Sequence, residues 1–111
     1  MTYEENFTRN KHVWTPEEDY ICCENYLLYF LRNDYMLDFE DVVYNILLKI
    51  PQISKVSLVR KLRNIKALCN KYKIKDYSGL LPLIHYSEQN EIVFKRTILR
   101  SDIQELINKN S

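Results

Sequence analysis

The side chains best suited to chemistry in this 111-residue chain lie in one stretch: Ser57, Arg60, Arg63 and Asn64, with Lys55, Lys61, Lys66 and Lys71 around them. Steps of three and four residues bring side chains to one side of a helix. Arg pairs with the guanine edge, Asn with the adenine edge, and Ser with either, so the first four suit base contacts. The lysines suit phosphate oxygens, which need charge more than a fixed direction. Residues 51–80 hold eight Lys or Arg and one acid, a balance of +7; residues 1–50 hold four bases and ten acids, a balance of −6. The net charge of +1 therefore hides an acidic first half and a basic middle. A basic helical face is by itself an ordinary solvated face. Its local concentration is what points to a polyanionic partner.

Other chemistries find little to work with. Cys22 and Cys23 are adjacent, Cys69 stands alone, and His12 and His85 are the only histidines. No C-x-x-C or H-x-x-x-H spacing brings them together, so neither a metal nor a cofactor is expected. Three unspaced cysteines read as reduced thiols in small core positions, in a cytoplasmic protein. Glu17, Glu18 and Asp19 read as charges at a helix N-terminus, not as an acid–base pair. One glycine rules out a glycine-rich phosphate loop. No apolar run reaches the ~20 residues that span a bilayer, and the opening MTYEENFTRN lacks the apolar stretch of a signal peptide. Catalytic residues, a small-molecule substrate and a membrane are not expected.

The elements that must position the basic set read as helices, so the fold class is all-α. Residues 1–12 are polar and read as a flexible arm ahead of one helical domain, 13–111. Thr15, Pro16 and Glu18 form a helix-start signal with a capping box, and helical spacing of Tyr20, Cys23, Leu27, Phe30 and Leu31 carries that helix to about Arg32. Trp14 is placed to fold back onto Glu18. Tyr20, Tyr26 and Tyr29 read as core and rim packing. Asn33 and Asp34 break the pattern. Asp38 caps a second helix, Phe39 to Lys49, with Phe39, Val42, Val43, Ile46 and Leu47 inward, and Pro51 follows its end. Ser54 or Ser57 caps a third, to about Lys71, with Leu58, Leu62, Ile65 and Cys69 inward; Arg60, Arg63, Asn64 and Ala67 lie outward, flanked by Lys61 and Lys66. These three make a core over 14–72. A connector over 72–86 holds Gly79 and Pro82, and a C-terminal helical segment over 87–110 starts at Ser87; a second capping signal, Ser101 with Gln104, leaves it open as one helix or two.

Trp14-Thr15-Pro16-Glu17-Glu18-Asp19 resembles the opening of Myb/SANT-type tri-helical domains. Ser57-Leu58-Val59-Arg60-Lys61-Leu62-Arg63-Asn64-Ile65 is similar to the "S-[IV]-x-x-K-L-x-N-[FI]" stretch of a bacterial and phage subgroup found alone or ahead of HNH nuclease domains. Gly79-Leu80, Ser87, Asn90 and Val93-Phe94 resemble the pattern that follows there. The resemblance implies a helix-turn-helix-like core whose third helix enters the major groove of double-stranded DNA, as a regulator or specificity module. The chain differs from Myb repeats in having one tryptophan and a longer first link. The expected site is Lys55, Ser57, Arg60, Lys61, Arg63, Asn64, Lys66 and Lys71, with a homodimer or protein partner adding contacts. The rival expectation is a protein-interaction module, such as a mobile-element inhibitor of a host defence nuclease. Its acidic face of Glu17, Glu18, Asp19, Glu24 and Asp41 would mimic DNA.

Overall fold

Thr15 starts the first helix as its sequence predicts. The Thr15 hydroxyl accepts from the Glu18 amide at 3.2 Å, and the Glu18 carboxylate accepts from the Thr15 amide at 2.9 Å. Helix α1 then runs Pro16–Phe30, capped by Leu31, and stops short of Arg32. The computed structural model describes residues 12–32 and 38–110. The arm expected over 1–12 lies, except for His12, outside the described residues, as does the break at Asn33 and Asp34.

Asp38 and Asp41 form a second capping box at the start of α2, Phe39–Lys49. Ser54, not Ser57, caps α3, Lys55–Lys71; the Ser57 amide is the donor it satisfies, at 3.1 Å. Ser87 caps α4, Glu88–Thr97, and α5 is Ser101–Asn110. The break between α4 and α5 falls at the second capping signal, but Ser101 is the first helical residue. Arg100 precedes it and its carbonyl accepts from the Gln104 amide at 2.9 Å. The Arg100 guanidinium also clasps Glu24 and donates to the Tyr20 hydroxyl at 2.7 Å, tying the turn to α1. The described residues are thus all helix and connector, with no strand among them.

One core joins all five helices. Cys22, Cys23, Tyr26, Leu27 and Phe30 of α1 meet Val42, Val43 and Ile46 of α2. Leu58, Leu62, Ile65 and Leu68 of α3, Val93 and Phe94 of α4, and Ile103 of α5 complete it. Helix α1 buries residues on most of its circumference, Asp19 and Asn25 included, so the first three helices alone leave part of it bare. Helix α4 covers that side, and the α1–α4 packing is the most extensive in the fold. Tyr20 stays at the surface and Tyr29 is half-buried, as rim positions. Burial pushes the Cys22, Cys23 and Cys69 thiols well above their ordinary range, so they pack as small apolar groups.

The end of α3 shows how the chain turns without glycine. Lys73 adopts φ 58, the Lys73 amide donates to the Asn70 carbonyl at 3.2 Å, and the Ile74 amide reaches Cys69 at 2.8 Å. These are the two bonds of a Schellman cap, with Ile74 buried beside it. A side chain at left-handed φ is strained where glycine is not. Lys73→Gly is therefore expected to stabilise the fold by about 1 kcal/mol, read as a higher urea midpoint with unchanged slope; an unchanged or lower midpoint would contradict the strain.

The connector is pinned at both ends. In its first half Tyr26 donates to Asp76 at 3.1 Å and meets Ser78 at 2.8 Å, while the Tyr77 amide reaches the Phe30 carbonyl at 2.8 Å. Gly79, at φ 68, redirects the chain. The second half runs back along the outward side of α3.

Candidate nucleic-acid interface

That return path changes what α3 presents. The Leu83 amide donates to the Arg63 carbonyl at 3.1 Å, and Arg63 Nε donates to the Leu81 carbonyl at 3.0 Å. Asn64 Nδ2 donates to the Leu83 carbonyl at 2.7 Å and, more weakly, to that of His85 at 3.4 Å. Ala67, expected to face outward, is only 6% exposed. The connector therefore covers the middle of the expected recognition surface, at Arg63 and Asn64, while Lys71 beyond it stays exposed. Asn64 spends its amide on the connector, which corrects its expected role as a free base contact.

The first half stays open. Lys55, Val56 and Arg60 are exposed, and Ser57 and Arg63 are half-buried. Between this edge and the connector lies a groove of about 520 Å³. Ser57, Arg60, Arg63 and Asn64 form its α3 wall; Leu83, His85 and Ser87 form the opposite wall; His12, Trp14 and Lys61 also line it. Three of these ten lining residues are Lys or Arg and two are His, and none of the ten is acidic.

Lys61 is the largest correction. It was expected as a phosphate contact, yet it is 5% exposed and its ammonium lies 2.6 Å from Asp19, which is fully buried. A basic residue on the edge of an apolar stripe can turn inward where a buried carboxylate awaits it. The Trp14 ring closes over the ammonium at 4.6 Å, so Trp14 packs on Lys61. Gln89 of α4 donates to the other Asp19 oxygen at 2.7 Å and to the Trp14 carbonyl at 2.9 Å. Asp19 Oδ1 has no hydrogen-bond partner, and the Lys61 ammonium beside it supplies charge compensation instead. The tryptophan, α1, α3 and α4 are thus locked together directly beneath the groove.

The other lysines are engaged at lower cost. Lys66 pairs with the buried Asp76 at 3.0 Å and lies away from the Arg60 edge, so it braces the connector. Lys71 pairs with Glu91 at 2.6 Å, which holds the Glu91 carboxyl below its usual range, helped by the Tyr72 hydroxyl. Lys55 pairs with Glu40 at 2.9 Å, both side chains exposed. Exposed pairs of this kind contribute about 0–1 kcal/mol and exchange partners readily.

The acidic set does not gather into one open face. Glu18 and Asp19 are buried, Glu24 is held by Arg100, and Asp41 closes the α2 capping box. Burial alone would raise the Glu18 carboxyl, but the Thr15 amide, His12 at 2.8 Å and Gln52 more than offset it, leaving it below its ordinary value. A depressed folded value means stability that is complete above the unfolded carboxylate range and is lost as pH falls through the folded value. Glu18→Gln keeps the capping geometry but removes the proton linkage. Urea unfolding between pH 7 and pH 3 should therefore show a shallower acid loss in the variant; parallel curves would contradict this role.

No family model, curated protein or solved structure matches this chain. Sequence reasoning missed two contributors, the connector wall and the Trp14–Lys61–Asp19 lock. Within the apolar run Leu80 to Ile84, Leu80 packs against the core and Leu83 lines the groove, and the run was the one sequence signal for that wall. No spacing rule links Asp19 to Lys61. Among the described residues no helix is long and apolar enough to cross a membrane, and no group of His, Cys, Asp or Glu is gathered as a metal site.

Proposed function

We propose that this chain is a DNA-binding protein that presents the first half of α3 to the major groove, with the connector as a second contact element. The observation that carries the reading is the groove beside Arg60 and Arg63, whose lining residues include no acid and which is built on a rigid floor. A helix in the major groove reads bases with its N-terminal residues, and that is the half of α3 the connector leaves open. Arg60 and Ser57 are the base contacts in this reading. Arg63 and Lys55 anchor phosphates, Lys55 exchanging Glu40 for the backbone. Helices α1 to α3 serve as a helix-turn-helix-like frame of the Myb/SANT kind, with Ile50 to Ser54 as the turn. A single small module binds weakly, so a second copy or a partner chain completes a regulator or specificity unit.

Amide chemical shifts of the labelled protein, titrated with a 20-base-pair random duplex, test the placement. The expected shifts fall on residues 54–63 and 81–87. Shifts confined to α2 and α5 would remove α3 from the interface.

A further inference from the structure

The groove beside α3 is a recess, not a ridge, and its volume of about 520 Å³ lies in the range of about 300–1,000 Å³ that holds one small ligand. A duplex is a rod and stays outside such a recess, whereas a single nucleotide enters it. The lining is divided in character. Arg60 and Arg63 bring charge and Ser57 and Ser87 bring hydroxyls, while Trp14, Leu83 and the rings of His12 and His85 bring flat or apolar surface. Lys61 also lines the groove, but its charge is spent on Asp19. Trp14 is half-buried and held in place: the Lys61 ammonium lies 4.6 Å from its ring, and the His12 ring meets it at 4.9 Å with the planes 88° apart. The bonds that tie Leu83 and His85 to α3 use their backbone atoms, so truncating either side chain leaves that wall in place. A phosphate needs the first set of side chains and a base needs the second.

We propose that the groove holds one unpaired nucleotide of bound DNA, its phosphate on Arg63 and its base on the surface made by Trp14, Leu83 and His85. The inference rests on the DNA-binding reading above and names the form of DNA that the site prefers. A base taken out of the stack is held in a pocket by rings and apolar side chains, and the cost is least when that base is already unpaired. A fully paired duplex must break a pair to fill the recess. A duplex with one extra nucleotide has one to give. Ser57 and Arg60 then meet the paired flank, and Arg63 beside them takes the phosphate that leads into the recess. An acidic side chain of a protein would also suit the two arginines, but it would leave the ring and aliphatic lining without a partner.

Trp14 is the only tryptophan in the chain, so its emission reports on the groove without a label. The full chain is titrated at low salt with a short paired duplex, with the same duplex carrying one unpaired adenine at its centre, and with adenosine monophosphate. A dye on the duplex gives affinity by anisotropy. The unpaired adenine should tighten binding about tenfold, the gain expected of one base stacked on a protein ring, and should quench Trp14 emission more than the paired duplex does. Leu83→Ala/His85→Ala should bind the two duplexes alike. Equal affinity and equal Trp14 emission with both duplexes would overturn the nucleotide pocket and leave the DNA-binding reading standing, as would a double variant that keeps the preference. Quenching by adenosine monophosphate while neither duplex binds would assign the recess to a free nucleotide and overturn the DNA-borne source. No binding of any of these probes would overturn both readings.

Discussion

Asp19→Ala is expected to destabilise the chain by about 3–5 kcal/mol, the cost of leaving a buried charge without its partner. The Lys61 ammonium would remain 5% exposed, with the Trp14 ring as its main remaining attraction. Lys61→Ala should cost a similar amount, since Gln89 alone would face the buried Asp19 carboxylate. Loss on this scale is a large part of the total stability of a small domain, about 5–15 kcal/mol. The pair itself is another matter. Two charges lose much hydration on burial, so replacing both by apolar side chains of similar volume is often neutral. Asp19→Leu/Lys61→Met should therefore recover most of what either single change loses. Equilibrium urea unfolding of Asp19→Leu, Lys61→Met and the double variant, analysed as a mutant cycle, gives the coupling. Single variants within 1 kcal/mol of wild type would contradict the lock. So would single losses that simply add in the double variant.

The second large effect concerns binding. Arg60→Ala/Arg63→Ala should weaken affinity for duplex DNA by about tenfold or more, from about 1–3 kcal/mol for the Arg60 base contact and the loss of the Arg63 phosphate anchor. Arg60 is exposed and Arg63 Nε bonds the Leu81 carbonyl at the surface, so with up to one surface interaction lost at each arginine the fold should lose about 1–3 kcal/mol. Lys66→Ala is the matched control. It removes a positive charge from the same helix, but one that is paired with Asp76 on the side away from the groove. It should weaken binding much less than the arginine pair. Equal losses from both variants would mean that only the overall charge matters and that the groove has no special role.

Much of the frame was legible because local rules and tertiary packing agree. Thr15 and Glu18, Asp38 and Asp41, Ser54 and Ser87 each start a helix for reasons internal to a four-residue window, and those starts are where the helices begin. Periodicity placed Leu58, Leu62 and Ile65 correctly in the core. It failed at Lys61 and Ala67 for two different reasons. Lys61 sits beside the apolar stripe, and a partner 42 positions earlier in the chain turned it inward. Ala67 lies on the outward stripe yet is buried, in a helix whose neighbour Asn64 is bonded to a connector whose path no helical wheel contains. The basic surface was similarly half legible. Its charge could be counted, but which cations are already paired depended on Asp19, Asp76 and Glu91 arriving from other segments. The acidic set failed for the same reason, since the two acids best placed to start α1 are the two it buries.

The most direct test of the central claim is fluorescence anisotropy of a labelled random-sequence duplex, titrated with the protein at 50 and 200 mM salt. With Lys55 and Arg63 neutralising about two phosphates, the slope of log affinity against log salt is about −1.8, and affinity should fall about twelvefold over that range. Micromolar binding at low salt with that fall is the result expected of a basic groove that takes DNA. No binding at 50 mM salt, or binding that ignores salt, would contradict it and direct attention to a protein partner.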